Sequence, residues 1–570
     1  MFEKINTKKA YNIITVIVIL IVSIFMFYWI NQKEGFHEDE IFSYGSSNYK
    51  WDNLFQASGK SDFINRTIEK YIIADNFGKT LDNIQYYLAH PDEFSEKEDE
   101  IHKGDKPVWK TSEDAKEYLT IGEGDVFNYL SVYYNQVRDV HPPLFYILVH
   151  LFSSIAYGVF SKYIIFAVNL IFFVLTCYVI RRIFIIFDKR WLGLIAILLY
   201  GLSMGAASTT IFLRMYSMLT FFCIEYLYLN LKILKNNLEI SKENKWKLFA
   251  TVLLGFLTQY YFCIFAAIVF VLMCARIIYK KQYKTFRRYI LIHVITAIIG
   301  IVIFPAAINH IFFSYRGAAG LDNGKTMLES ALFYINRLAE AFSINNVLMT
   351  ILVIACAIGI IVAIIRKLAK GKITKLYYYI LITVPTIAYF LCIAKIAPNM
   401  EAKYAIRYIM PILPEFAIIF VLGIYRIVKN KQIAFSITTI VVLAVSINGI
   451  VTNKPCYLYE GYNNYIEIAK QYKDLDFVYV VDNGFTHINS LPEFAIYNKS
   501  LIINMNYDKL DFLREDKEMQ SQEKFILSIK KWMNVEDTLN KILESTGFNE
   551  YEVLLDNEDD TQSIIYLVSR

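Results

Sequence analysis

Residues 191–232 read WLGLIAILLYGLSMGAASTTIFLRMYSMLTFFCIEYLYLNLK, and this stretch decides the fold. Apart from its final lysine, the only charges in these 42 residues are Arg214 and Glu225. As one helix it would run about 63 Å, roughly twice the hydrocarbon core of a bilayer. It must therefore turn, and Gly205 and Arg214 bracket the turn. Two membrane crossings follow, with Arg214 at the surface between them.

The whole chain agrees with this reading. Of its 570 residues 56% are apolar and 19% are charged, and the mean hydropathy is +0.36. Soluble domains lie nearer about 45–50% apolar and about 25% charged. The chain is expected to be a polytopic α-helical membrane protein, not a cytosolic enzyme, a disordered scaffold or a secreted disulfide module. Six of its seven cysteines lie in apolar runs, where cysteine acts as a small hydrophobe, and only Cys456 lies in a polar region. No zinc-type C-x-x-C spacing occurs.

Charge sets the topology. Residues 31–143 hold 12 basic and 22 acidic groups, and residues 452–570 hold 12 basic and 21 acidic. The remainder holds 34 basic and 10 acidic groups. Basic residues beside spans mark the cytoplasmic face. Eleven spans are expected, at 11–30, 162–183, 191–211, 215–232, 247–259, 261–279, 289–310, 346–365, 376–396, 407–426 and 433–451. Lys4, Lys8 and Lys9 place the N-terminus inside, and the other basic clusters fall inside as well. The segment 144–160 is read as an interfacial or re-entrant helix. The pair within 247–279 is tight for two crossings. Residues 1–451 would form the membrane domain, with 31–143 as a large outer loop. Residues 452–570 would form a small extracytoplasmic α/β domain, with strands at 476–481, 500–504 and 563–568 and a helix at 524–546. Frequent Lys, Ile, Asn and Tyr suggest a bacterial source.

Ionisable groups at membrane depth are expensive, so their positions carry information. Those in this chain gather at outer ends of spans. His37-Glu38-Asp39-Glu40 follows the first span. Crowded carboxylates raise one another's pKa, and a carboxylate beside an acceptor hydroxyl is what a general base requires; a solvated exit loop is the plainer alternative. Asp139-Val140-His141-Pro142-Pro143-Leu144 sets a helix start and also offers a carboxylate and an imidazole. Arg214-Met215-Tyr216 suits either headgroup snorkelling or a phosphate clamp. Thr258-Gln259-Tyr260-Tyr261 occupies an outer turn, Arg316 lies in the outer loop 311–345, and Lys403 precedes Arg407-Tyr408 with Pro411 and Pro414. Glu225, within a span, is read as a packing residue. Carboxylates and guanidinium groups on one face fit chemistry on a lipid-borne phosphate, the cations stabilising the leaving group.

These residues resemble the GT-C-fold integral membrane glycosyltransferases, most of all the group of protein O-mannosyltransferases and lipid A aminoarabinose transferases (glycosyltransferase family 39-like). Asp39-Glu40 after the first span, followed by Asp139-x-His141-Pro142-Pro143-Leu144, is the more specific part. Arg214-x-Tyr216, the Thr258–Tyr261 segment and Arg407-Tyr408 with two prolines add to it. The likeness covers about residues 8–430. It implies an inverting transfer from a polyprenyl-phosphate-linked sugar to an extracytoplasmic glycan, lipid or protein at the cell membrane, with no nucleic acid involved. It implies Asp39 as general base supported by Glu40, and Asp139 and His141 shaping the site. Arg214, Tyr216, Arg316, Arg407 and Tyr408 would bind donor phosphate, and Gln259, Tyr260 and Tyr261 would line the cavity. No cofactor is required, although His37, Asp39, Asp139 and His141 could hold a divalent metal. The chain departs from the group in its long first outer loop and in Gln259, where the group has His. A transporter or lipid flippase is the alternative; its paired halves and midplane charges are not seen here. A non-catalytic envelope assembly protein is a third reading.

Overall fold

The computed structural model describes residues 8–51, 54–55, 71–72, 74, 77–94, 107–313, 326–368, 374–397, 403–482, 486–506, 510–556 and 563–570. The chain forms two compact units. The first comprises Met1–Lys33, Val140–Leu148 and Lys162–Leu458; the second comprises Glu34–Asp139, Val149–Ser161 and Tyr459–Arg570.

The first unit is helical, and the protein is a multi-pass membrane protein. Among the described residues eight helices are long and apolar enough to cross a bilayer, or up to ten if each of two bent pairs is one span. The quoted stretch turns within the expected bracket, between Met204–Ile211 and Tyr216–Lys235. It also breaks outside that bracket, at Ser203, where Arg190–Gly201 passes into Met204–Ile211 with a bend of 64°. Ser203 caps the second piece by accepting from the Ala206 amide at 3.1 Å. Gly201 and Gly205 allow close approach there. A Cβ at Gly201 would lie 2.7 Å from Val22 Cβ, and one at Gly205 would lie 2.7 Å from Ala341 Cβ. Tyr216–Lys235 then runs through the centre of the unit, 89% of its apolar window buried, whereas Tyr283–Ile303 is 22% buried and faces outward.

Several expected bounds shift for local reasons. The segment expected at 247–259 is the helix Lys242–Phe256, whose first turns carry Lys242, Glu243, Lys245 and Lys247; at 15 residues it is short for a crossing. The span expected at 289–310 is Tyr283–Ile303, because Pro305 disfavours helix at the residue before it. Residues at the start of the expected 407–426 span form the 3-10 turns Tyr404–Tyr408 and Met410–Ile412, and the α-helix begins at Leu413. Pro411 and Pro414 lack the amides that a regular helix would use there. The apolar segment 144–160 yields only Leu144–Ile155, too short to span.

The second unit holds a six-stranded sheet of order β1-β3-β2-β4-β6-β5. Its strands are β1 Lys110–Thr111, β2 Phe477–Val481, β3 Lys499–Asn504, β4 Lys524–Lys530, β5 Glu550–Leu555 and β6 Ser563–Ser569. β2 lies parallel to both β3 and β4, while β6 runs antiparallel to β4 and β5 to β6. β1 comes from the first loop and pairs antiparallel with β3. The core packs Val478, Val480, Leu501, Ile503, Leu527 and Ile529 under the helix Val535–Thr546. The helix expected at 524–546 is therefore a strand followed by a helix. Lys524–Lys530 is a short continuous apolar run, which periodicity cannot assign to strand or helix.

Candidate active site

In the first unit the candidate site grows from the tight turn after Met204–Ile211. The Arg214 amide donates to the Phe212 carbonyl at 2.7 Å, closing a three-residue turn. Asn169, buried on Lys162–Ile186, holds this turn from the side. Its amide nitrogen donates to the Thr210 carbonyl at 3.1 Å and the Phe212 carbonyl at 2.8 Å. The Ser217 hydroxyl donates back to the Asn169 carbonyl at 2.8 Å. Arg214 is 5% exposed. Its Nη2 lies 3.3 Å from His141 Nε2. A guanidinium only donates, so the contact makes Nε2 the acceptor and places the ring proton on Nδ1. The Tyr146 ring lies 5.9 Å from the guanidinium carbon and 6.4 Å from the His141 ring. Leu144, which begins the helix carrying Tyr146, donates its amide to the Leu257 carbonyl at 3.0 Å. That bond joins the His141 segment to the Gln259 turn.

The second arginine enters through the aromatic residues around Phe212. Phe212 stacks on Tyr457 at 3.9 Å and on Tyr216 at 5.6 Å. Arg407, buried on the 3-10 turn, lies 5.7 Å from the Phe212 centroid and 5.8 Å from that of Tyr408, both within cation–π range. The Tyr457 hydroxyl donates to the Tyr404 carbonyl at 3.0 Å, bracing the same turn. Lys33, 1% exposed, donates from Nζ to the Tyr457 carbonyl at 2.5 Å. At the Gln259 turn, Gln259 Oε1 accepts from the Tyr260 amide at 2.5 Å. The Tyr260 hydroxyl meets His310 Nδ1 at 2.9 Å, and Tyr261 packs edge-on against Tyr408 at 5.8 Å. Glu225 takes no part: it pairs with Arg182 at 3.7 Å. Arg316 lies outside the described residues.

The acidic residues belong to the second unit. Glu38–Asn48 is a helix capped by His37, whose Nδ1 accepts from the Asp39 amide at 3.0 Å. Glu40 Oε2 accepts from the His37 amide at 2.7 Å and completes a capping box. Glu40 is 0% exposed, whereas the Asp39 side chain is 24% exposed, with Oδ2 3.6 Å from His37 Nδ1. Two adjacent acids thus have different work. Glu40 fixes the helix start, and Asp39 faces outward from it. Burial, with the Glu40 carboxylate adding to it, pushes the Tyr44 phenol well above its ordinary pKa. Gly45 lets Tyr118 pack on this helix, since a Cβ there would lie 1.9 Å from Tyr118 Cζ. Asp139 ends the helix Tyr129–Arg138, and Asn135 of that helix donates to the Ser46 and Tyr49 carbonyls at 3.3 and 2.8 Å.

Among the described residues no three His, Cys, Asp or Glu side chains come together as a metal-binding group. Within the expected ligand set, His37 Nδ1 is committed to the helix cap. Asn169, Tyr146, Phe212, Tyr457, Lys33 and His310 are the residues that sequence reasoning missed. Asn169 carried a signal as an amide within an apolar run, and Lys33 and His310 as ionisable groups at the ends of apolar runs.

No protein-family model matches the sequence, and no curated protein matches it. Solved structures do. The chain is similar to ArnT from Cupriavidus metallidurans bound to undecaprenyl phosphate, at 11% identity and a TM-score of 0.48, over 98% of each chain. It is similar to ArnT of the same organism in the apo state, at 11% identity and a TM-score of 0.42, over 75% of this chain and 87% of that one. It is also similar to an oligosaccharyltransferase from Archaeoglobus fulgidus in complex with Zn and sulfate, at 12% identity and a TM-score of 0.35, over 75% of this chain and 64% of that one.

Proposed function

We propose that the protein is a GT-C-type membrane glycosyltransferase that moves a sugar, with inversion, from a polyprenyl-phosphate donor to an extracytoplasmic glycan, lipid or protein. The observation that carries this reading is the two buried arginines of the first unit, each set against Phe212. Arg214, held by His141, and Arg407, held by Phe212 and Tyr408, are two permanent cations among stacked aromatic rings. The planar fork of a guanidinium matches the oxygens of a phosphate.

The chemistry follows from these roles. An acceptor hydroxyl attacks the anomeric carbon while Asp39 takes its proton. The bond from that carbon to the phosphate oxygen breaks, and its electron pair leaves with the polyprenyl phosphate. Arg214 and Arg407 stabilise the charge that grows on that oxygen. His141 orients Arg214. Glu40 supports Asp39 by fixing the helix start rather than by sharing its proton. Tyr216, Tyr260, Tyr261, Tyr408 and Gln259 contribute shape. With the N-terminus cytoplasmic, the second unit lies outside the cell membrane, where acceptors of the envelope are found.

The arginine pair is tested by binding undecaprenyl phosphate itself. Arg214→Gln and Arg407→Gln are each expected to weaken binding on the order of tenfold or more, the scale of a hydrogen bond to a charged group. Affinities equal to wild type for both variants would remove the phosphate assignment.

A further inference from the structure

The segment that carries Asp39 is fastened to the C-terminal part of the second unit one residue at a time. The helix Tyr462–Gln471 begins at Gly461, at φ 87°, without a side-chain cap of its own. Its Tyr462 and Asn464 amides meet the Tyr459 and Gly461 carbonyls at 3.2 Å each, and the Gly461 and Asn463 amides take their acceptor from elsewhere. Glu34 supplies it: its Oε2 accepts from the Gly461 amide at 2.7 Å and from the Asn463 amide at 3.5 Å. A carboxylate at a helix N-terminus is also favoured by the helix dipole. Gly35 lies so close that a Cβ there would sit 2.8 Å from Tyr462 Cγ and 2.9 Å from Tyr459 Cβ. Phe36 packs on Phe160 at 5.2 Å and edge-on to Tyr44 at 6.4 Å. His37 then caps the Asp39 helix. The loop is closed by Tyr462, whose hydroxyl donates to the Asn489 carbonyl at 3.2 Å. The turn Ile488–Ser490 in its turn packs against the helix Glu38–Asn48.

We propose that Glu34 is a positioning residue for the reaction, and that the C-terminal α/β region serves to hold the Asp39 segment at a fixed place. The proposal rests on the reading of Asp39 as the base. Glu34 touches neither substrate nor reacting atoms and acts through the Tyr462 helix. Acceptor binding is a separate task that this region need not perform.

The test uses full-length protein in liposomes with radiolabelled undecaprenyl-phosphate sugar as donor. Glu34→Ala is expected to lower kcat on the order of tenfold to a hundredfold, the scale of a displacement of about 1 Å at a reacting group. KM for the donor should stay within about twofold, because the arginines are untouched. Glu34→Gln keeps an oxygen for the Gly461 amide and should restore most of the rate. Hydrogen–deuterium exchange without donor supplies the second readout. Residues 34–41 should exchange faster in Glu34→Ala while the strand Phe477–Val481 keeps its protection. An unchanged kcat with unchanged exchange at 34–41 overturns the proposal, as does faster exchange throughout the sheet. If wild type and Asp39→Asn release label equally, the base assignment has failed instead, and exchange at 34–41 alone then decides whether Glu34 holds the segment.

Discussion

Glu493 is buried in the second unit beside Tyr462, Ser490 and Lys530. Burial pushes its carboxyl up to about 7, against the lowering effects of those three neighbours. His487, also buried, is pushed down to about 4 by loss of solvent. The signs follow from linkage. Glu493 adds stability that is fully present below the ordinary carboxylate value and lost as pH rises through about 7. His487 adds stability that is present above the ordinary imidazole value and lost as pH falls through about 4. Glu493→Gln, neutral at every pH, should therefore raise the melting temperature relative to wild type at pH 8 and much less at pH 5, in thermal melts of the detergent-solubilised protein. An equal effect at both pH values would refute the assignment. At this scale charge beside apolar runs, and an imidazole before a proline pair, single out Arg214, Arg407 and His141 as candidates. The aromatic rings packed around them carry no such mark. With 43 Tyr and 42 Phe in the chain, nothing marks Phe212, Tyr146 or Tyr457.

Among the elements, the two helices that meet at Arg214 carry the candidate site, and Asn169 holds their joint from the side. Asn169 gives both amide hydrogens to carbonyls that the break in the helix leaves open. Without it the Thr210 carbonyl would lose its donor, at about 1–3 kcal/mol for such a group, and the Phe212 carbonyl would keep only the Arg214 amide. Asn169→Leu should loosen the turn, lower affinity for undecaprenyl phosphate on the order of tenfold and reduce thermal stability together. Full affinity in a destabilised variant would separate the turn from the arginines. The spans themselves were legible because 20-residue apolar runs and flanking lysines and arginines leave few choices. The sheet was less so. β2, β3 and β6 stand out as β-branched runs, but β4 reads equally as helix, and β5 is an exposed edge strand with acidic residues Glu550 and Glu552. Proline explains the rest of the shifts, at Pro305, Pro411 and Pro414.

For the whole molecule, the expected split into a membrane domain and a C-terminal domain leaves out one connection that no local pattern reveals. Two residues of the first loop, Lys110 and Thr111, pair with Ser500 and Lys499 almost four hundred positions later. A two-residue strand has no periodicity, so its partner is decided by the folded surroundings alone. The result ties the loop that bears Asp39 to the sheet. The central proposal is that the protein cleaves a polyprenyl-phosphate sugar with Asp39 as base. The direct measurement places wild type and Asp39→Asn in liposomes with a panel of radiolabelled polyprenyl-phosphate sugars and an envelope extract as acceptor source. Label should leave one donor with wild type and stay on it with Asp39→Asn. Equal release by both proteins would contradict the base, and no release from any donor would contradict the transferase and favour a transporter.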